Sequence, residues 1–374
     1  MNDESLKYKI GTTLIRGIGP NLSKTLIAYI GSAEGLFSEK RQNLEKIPGI
    51  GSILSSEIIS RKTEALRRAE KEIEFILKNN IHTFYFTDNQ YPFRLKECPD
   101  SPILFYGKGN LDLNKGKFIG IVGTRKATDV GKDNCKKIIS DIAQHLPNAI
   151  IVSGLAYGID ICAHKAAIDA GLPTIGVLGH GLDRIYPATH GLVANKMLEK
   201  GGLLAEYPSE TNPDRPNFVQ RNRIIAGMCD ALIVIESNEK GGALITANLA
   251  NDYNRDVFAF PGRIDDEASK GCNALIKHNK AALIESAEDL LRFMNWEKKD
   301  KAMPISAQTS LFIDLSEDEQ VVLAALRQYP DGIQTNELAT LLAKPFSKIS
   351  SLLLELEFKN TVKCLPGNTY KIVK

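Results

Sequence analysis

The sequence predicts an α/β protein with a Rossmann-like, doubly wound parallel sheet at its core, and three observations predict it. Between residues 80 and 296, short β-branched runs alternate with amphipathic helical stretches, the order of βαβ units. The runs Phe118–Val122, Ala149–Val152, Thr174–Leu178, Leu203–Glu206, Ala231–Glu236, Val257–Phe260 and Ala282–Ile284 have strand length and are largely apolar throughout, as strands covered on both faces are. Most of these runs end in a glycine-bearing turn, which is where a doubly wound sheet holds its ligand.

On either side of this core the pattern changes. Residues 1–75 read as a small helical domain with an internal echo: Ile15-Arg-Gly-Ile-Gly19 and Ile47-Pro-Gly-Ile-Gly51 each precede a helical run. This resembles a tandem helix-hairpin-helix (or SAM-like) module, which implies backbone contact with DNA; helical packing alone is the other reading. Residues 297–312 mix charge, Pro, Ser and Gln without periodicity, the grammar of a linker. Residues 313–374 then run helix (317–328), turn at Asp331-Gly332, helix (335–342), helix (347–359) and a hairpin with a Pro366-Gly367 turn. That is the plan of a winged helix-turn-helix.

Composition narrows the function classes. The 374 residues are 43% hydrophobic and 25% charged, which excludes a disordered, collagen-like or coiled-coil chain. A net charge of +2 carries no global polyanion signal, so any phosphate binding has to come from locally focused charge. The six cysteines include no C-x-x-C pair, which argues against zinc ribbons and thioredoxin-like chemistry and for reduced thiols in the cytoplasm. The opening MNDESLKYKI has no basic-then-apolar signal, and no apolar run reaches the length of a bilayer span, so neither secretion nor a membrane is expected.

At the predicted strand ends, Gly123-Thr124-Arg125, Ser153-Gly154 through Gly158, Gly179 through Tyr186, and Gly241-Gly242 through Thr246 form a convergence of glycine turns and helix starts. Amides can approach phosphate there because no Cβ intervenes. Arg125, Arg184, Arg221 and Arg223 add guanidinium forks suited to phosphate. G-x-G-x-x-G and the P-loop pattern are both missing, which disfavours dinucleotide and nucleoside-triphosphate readings. No G-x-S-x-G elbow or metal-spaced cluster appears, so no catalytic residue, metal or cofactor is assigned. Asp160 reads as a structural group at a helix start, while Glu206 and Glu236 read either as bases or as partners of the arginines.

The blocks VGTR, SGLAYGID, GLDRIYP, RNRIIAG, GGALITA, VFAFPG and GCNALI occur in this order, and together they resemble the DprA (Smf) family of DNA-processing proteins of natural transformation. The resemblance implies a non-enzymatic protein that binds single-stranded DNA, dimerises through its core and brings the recombinase RecA onto incoming DNA. It places DNA contacts at Arg125, Ser153, Gly154, Arg184, Asn222 and Arg223. One departure is Gly241-Gly242-Ala243, where the family more often reads Gly-Ser-Leu; a hydroxyl contact is lost there, but backbone contacts survive.

The rival enzyme reading is a lysine-decarboxylase-like phosphoribohydrolase, whose signature P-G-G-x-G-T-x-x-E is replaced here by Lys240-Gly-Gly-Ala-Leu-Ile-Thr246 without the glutamate. A protein scaffold is the third reading. A preference for single strands requires a platform for bases, and Tyr157 and Tyr186 are the candidates. Arg125, Arg184 and Arg223 are expected to line one pocket, and Leu275 and Ile276 to form a self-association patch.

Overall fold

A computed structural model describes residues 3–110, 112–297, 315–330, 332–359, 361–365 and 368–373. The chain divides into two compact units, Met1–Glu297 and Lys298–Lys374.

The first unit opens with α1 (Asp3–Leu14), α2 (Pro20–Ile30), α3 (Ala33–Ser38), α4 (Arg41–Leu44) and α5 (Ser52–Lys78). It continues through β1 (His82–Tyr85), α6 (Phe93–Lys96), β2 (Leu104–Gly109), β3 (Lys117–Val122), α7 (Asp129–His145), β4 (Ala149–Ser153) and α8 (Ile159–Asp169). Next come β5 (Thr174–Leu178), α9 (Gly191–Lys200), β6 (Gly202–Ala205), α10 (Arg215–Met228), β7 (Ala231–Val234) and α11 (Gly242–Asp252). The unit ends with β8 (Asp256–Ala259), α12 (Lys270–Lys277), β9 (Ala282–Leu283) and α13 (Ala287–Phe293).

The sheet has nine strands in the order β1-β2-β6-β5-β4-β3-β7-β8-β9. From β6 to β9 every pairing is parallel; β1 and β2 add an antiparallel edge. The chain winds outward in both directions from β3, so the topological switch lies between β3 and β7, and a crevice opens at their carboxyl ends. Two apolar layers cover the sheet. On one face Phe118, Val152 and Val177 meet Ile225, Met228 and Ala247. On the other, Ile119, Ile121 and Ile151 meet Ile138, Ile142, Ala163 and Leu290. Each large side chain buried this way contributes about 1.5–3 kcal/mol.

The seven expected strands are β3 to β9, with ends displaced by a residue or two: β3 starts at Lys117, β4 runs on to Ser153, β6 stops at Ala205 and β7 at Val234. The antiparallel pair β1–β2 was not foreseen; its second strand ends in Gly-Lys-Gly, which interrupts the apolar run of Leu104-Phe105-Tyr106. The boundary expected near residue 75 falls inside α5, a continuous 27-residue helix. Its first half packs with α2 to α4 around Leu26, Leu36, Leu44 and Ile58. Its second half lies with α1 against β1 and β2, burying Ile10, Ala69 and Ile76 on Tyr85, Leu104 and Tyr106. The helical segment therefore belongs to the same compact unit as the sheet.

The second unit contains α14 (Glu317–Leu326), β10 (Ile333–Gln334), α15 (Thr335–Leu341), α16 (Phe346–Phe358), β11 (Val362–Leu365) and β12 (Thr369–Ile372), with strand order β10-β12-β11. Ser316 and Glu319 close a capping box at the start of α14, satisfying two amides that would otherwise lack partners. Val322, Leu326, Leu338, Ile349, Leu353 and Leu356 form the core of this winged helix. The expected linker lies almost wholly, and the Pro366-Gly367 turn wholly, outside the described residues. Among the described residues no helix is long and apolar enough to cross a membrane, and no group of three or more His, Cys, Asp or Glu is placed to hold a metal ion.

Candidate nucleic-acid interface

The carboxyl edge of the sheet is laced together by its own backbone. The Thr124 amide donates to the Glu236 carbonyl at 2.8 Å, and the Ile159 amide donates to the Thr124 carbonyl at 3.2 Å, so the loops after β3, β4 and β7 are tied to one another. Gly158 permits this lacing: its φ is +77°, and a Cβ would lie 2.2 Å from the Thr124 carbonyl oxygen. Glu236 is buried and accepts from the amide (3.0 Å) and hydroxyl of Thr128, the N-cap of α7. Glu236 is thus an anchor of the Arg125 loop and offers no free carboxylate for base chemistry.

Arg221 is the centre of the site's support. It is 3% exposed and donates to the carbonyls of Gly154 (2.8 Å) and Val177, tying the ends of β4 and β5 to α10. A Cβ on Gly154 would lie 2.6 Å from this guanidinium. Asp160 is buried beside it and accepts the Gly154 amide at 3.2 Å, so it folds the loop back on itself, a structural role. Burial pulls the Arg221 pKa down to about 10 and pushes the Asp160 carboxyl up, each opposed by the other's charge.

Exposed above this support is a cluster that the sequence did not announce. Phe218, half-buried in the first turn of α10, has the Arg125 guanidinium 5.7 Å and the Arg221 guanidinium 5.9 Å from its ring centre. The Tyr186 ring is tilted against the Phe218 ring, with 5.8 Å between their centres. Arg125 and Tyr186 are both exposed, as is Arg184 on the Tyr186 loop, where Asp183 (2.8 Å) and Asn212 (3.0 Å) hold it. Asn222 sits one helical turn beyond Phe218 on the same face and is half-buried. The signal for Phe218 was present: a lone aromatic in the polar run TNPDRPNFVQ, one turn before Asn222.

Other expected members stand elsewhere. Arg223 does not share a pocket with Arg125: two residues from Arg221, it points about 200° around α10. There it is 7% exposed and holds both oxygens of Glu206 at 2.6 Å. Burial pushes the Glu206 carboxyl up, against the pull of Arg223. Arg221 itself is buttress, not contact surface. The Ser153 hydroxyl is buried and donates to the Ile121 carbonyl at 2.6 Å, so it is not offered to a ligand. Gly123 packs under Ile159, where a Cβ would lie 2.5 Å from the Ile159 side chain. Gly241 is the N-cap of α11, and Gly242 faces open space with room for a side chain; the buried Thr246 lies a turn inside the helix. Tyr157 is exposed, its ring meeting His190 edge-on at 5.1 Å, and His190 donates from Nδ1 to the Leu155 carbonyl at 2.9 Å. Leu275 is 5% exposed in the core cluster with Ile276 packed against it, so this pair faces inward, because α12 turns its apolar side to β8.

Comparison with known proteins agrees with this architecture. The family model of DNA recombination-mediator protein A matches residues 82–295, and that of the DprA winged helix domain matches 307–368. Protein Smf of Synechocystis sp. is 31% identical over 99% of this chain and 100% of its own length. The X-ray structure of DNA processing protein A from Streptococcus pneumoniae is 34% identical, covers 78% of this chain and 97% of that one, and superposes with a TM-score of 0.66. The structure of DNA processing protein A from Helicobacter pylori, which addresses that protein's single-stranded DNA binding mode, is 27% identical over 58% of this chain and 96% of its own, with a TM-score of 0.52. The αβ core, the winged helix and a relative aligned from end to end together establish that the chain belongs to the DNA recombination-mediator protein A family, the DprA or Smf proteins.

Proposed function

We propose that this chain binds single-stranded DNA along the carboxyl edge of its sheet. On this reading Arg125 and Arg184 take phosphates, while Phe218 with Tyr186 takes bases, as a mediator of recombination in natural transformation. The observation that carries this reading is the Arg125–Phe218–Tyr186 cluster: an exposed guanidinium and two rings share one rim. Phosphate contact alone accepts duplex and single strand alike, and stacking rings select unpaired bases. The H. pylori relative's single-stranded DNA binding mode supports the assignment. The matched family is one of recombination mediators, which sets aside the nucleotide-cleaving enzyme, and engagement of Glu236 by Thr128 agrees.

The finer parts of the reading are that it works in the cytoplasm, that it loads RecA on the bound strand, and that it acts as a homodimer. With Leu275 in the core, the self-association surface we propose centres on Ile264, which is 87% exposed beside a groove of about 420 Å³ lined by Gly262, Asn273 and Ala274. The experiment that tests the central claim titrates single- and double-stranded oligonucleotides against the full chain at several salt concentrations. Equal affinity for both, or no affinity for either, defeats it. Sedimentation of an Ile264→Glu variant and RecA filament assembly on protein-coated strands test the finer parts.

A further inference from the structure

Glu72 is a carboxylate well inside α5, and it is 1% exposed. A charge sealed in this way is costly unless it is fully paired. Apart from Arg68, one turn earlier on α5 and donating at 2.9 Å, its partners lie in the loop after β6: it accepts the Ser209 amide at 2.9 and 3.1 Å and the Ser209 hydroxyl at 2.6 Å. Arg68 donates in turn to the Ser209 carbonyl at 2.6 Å and to its hydroxyl at 3.1 Å, so every polar group of Ser209 is held from α5. The next residue leads to the rim. The Glu210 amide donates to one Asp183 oxygen at 3.0 Å, the other Asp183 oxygen pairs with Arg184 at 2.8 Å, and the Asn212 side-chain oxygen accepts from Arg184 at 3.0 Å. Glu210 has a φ of +67°, a conformation that a non-glycine residue keeps only where its surroundings enforce it. The two loops also touch directly, since a Cβ on Gly181 would lie 2.4 Å from the Pro208 carbonyl oxygen, and Leu182 packs into the apolar cluster of Ile10, Ile76 and Tyr106.

We propose that Glu72 is a positioning residue for the rim: with Arg68 it clamps Ser209, and through the turn at 209–212 it sets Arg184 where a phosphate of the bound strand reaches it. The inference rests on the rim being the site of the strand. An exposed arginine on a loop has many rotamers, and fixing it before the ligand arrives removes an ordering cost from binding. Asp183 and Asn212 do this at the guanidinium, and the Glu72–Ser209 clamp fixes the turn from which Asn212 and the Glu210 amide act. The helical segment thereby takes part in binding without any contact between its glycine turns and DNA.

The test measures the affinity of the full chain for a single-stranded oligonucleotide at several salt concentrations, for the wild type, Glu72→Ala, Arg184→Ala and the double variant. Glu72→Ala removes a negative charge, which by itself would strengthen binding to a polyanion. The expected result is the reverse: weaker binding, with the slope of log K against log salt lowered by up to about one, the share of a single phosphate contact. In the Arg184→Ala background the same substitution is expected to bring no further loss, because the two act through one contact. Tighter binding by Glu72→Ala, or an equal loss in both backgrounds, overturns the proposal. Failure of the rim reading shows itself separately, as an Arg184→Ala chain that binds like the wild type. Amide hydrogen exchange then decides the clamp alone: faster exchange over residues 181–184 and 209–212 in Glu72→Ala upholds it, and unchanged exchange refutes it. Should Glu72→Ala fail to fold, Ser209→Ala, which keeps every charge, takes its place in both measurements with the same expected directions.

Discussion

The sheet core and the winged unit have nearly balanced charge, yet only the core presents an arrangement suited to a polyanion. Residues 81–300 carry 26 basic and 27 acidic side chains, and residues 311–374 carry seven and eight. At the rim, loops laced by backbone bonds set Arg125 over Phe218, with Arg221 sealed beneath. On the winged unit, Lys344 and Lys348 are both spent on Asp318, and α16 exposes Phe346, Leu354 and Phe358 where a groove reader places cations. On the proposed reading, placement and not net charge decides which surface meets nucleic acid, and that contrast can be broken at several points.

The largest expected effect lies beneath the rim. Arg221→Ala removes the donor to two strand-end carbonyls and leaves Asp160 buried without its counter-charge, which costs about 3–5 kcal/mol. Urea unfolding measures it, and a loss under 1 kcal/mol would mean that water replaces the guanidinium and that the support is dispensable. A double variant with Asp160→Asn is expected to recover part of the loss.

Next comes the rim itself. Phe218→Ala removes the stacking ring and is expected to weaken single-strand binding by about 1–3 kcal/mol while leaving the salt slope intact. Arg125→Ala is expected to do the converse in part, lowering the slope of log K against log salt by about one, the share of a single phosphate contact. Arg223→Ala is expected to lower stability, since Glu206 loses its partner, with the salt slope unchanged. If Arg223 and not Arg125 moves the slope, the two sides of α10 have been assigned the wrong way round.

Acid sharpens the comparison between the units. His164 is fully buried with Nδ1 2.7 Å from the Thr174 hydroxyl, and burial, aided by the Arg221 charge, pulls its pKa down to about 3. Its folded pKa lies below the unfolded value near 6.5, so between about 3 and 6.5 the unfolded chain binds the extra proton. Stability of the first unit therefore falls as pH drops below 6.5, by about 1.4 kcal/mol per unit at most and about 2 kcal/mol by pH 5 from this residue. All six histidines precede residue 298, so the winged unit lacks this dependence. Its half-buried Asp318, held down to about 2 by bonds from Lys344 and Lys348, supplies stability present above the usual aspartate pKa near 3.8 and lost only as pH falls toward 2. A His164→Asn chain whose unfolding keeps the wild-type slope between pH 5 and 6.5 would remove His164 from this account.

Much of this was legible in the sequence, for identifiable reasons. Strands β3 to β9 were readable because a parallel sheet buried on both faces leaves apolar runs with no alternation, and the winged helix because Asp-Gly and Pro-Gly pairs mark its turns. The position of Arg125 at the rim was readable because Gly-Thr-Arg follows directly on the apolar run of β3. The division of labour between Arg221 and Arg223 was not, since residue type says nothing about which side of α10 faces Glu206. Leu275 and Ile276 failed for a similar reason: an apolar pair on a short helix looks alike whether it faces a partner or the core. The partners of Phe218 were hidden, because Tyr186 and Arg125 come from loops far away in sequence.

The smallest expected effect concerns the winged unit as a whole. If α16 is no groove reader, removing residues 305–374 leaves single-strand affinity within about threefold, a change under about 0.7 kcal/mol. The physical reason is counterion release: affinity for a polyanion scales with the phosphates neutralised, and a unit with seven basic against eight acidic residues, with Lys344, Lys348 and Lys359 already paired, has few cations to contribute. The exposed apolar side chains of α16 point instead toward contact with protein, which a duplex titration does not register. Oligonucleotide titrations on the shortened chain, beside the full chain at two salt concentrations, read both quantities. A drop well beyond threefold, or duplex binding by the isolated winged unit with a steep salt slope, would show that its few free lysines act together and that the contrast between rim and wing is one of strength, not of kind.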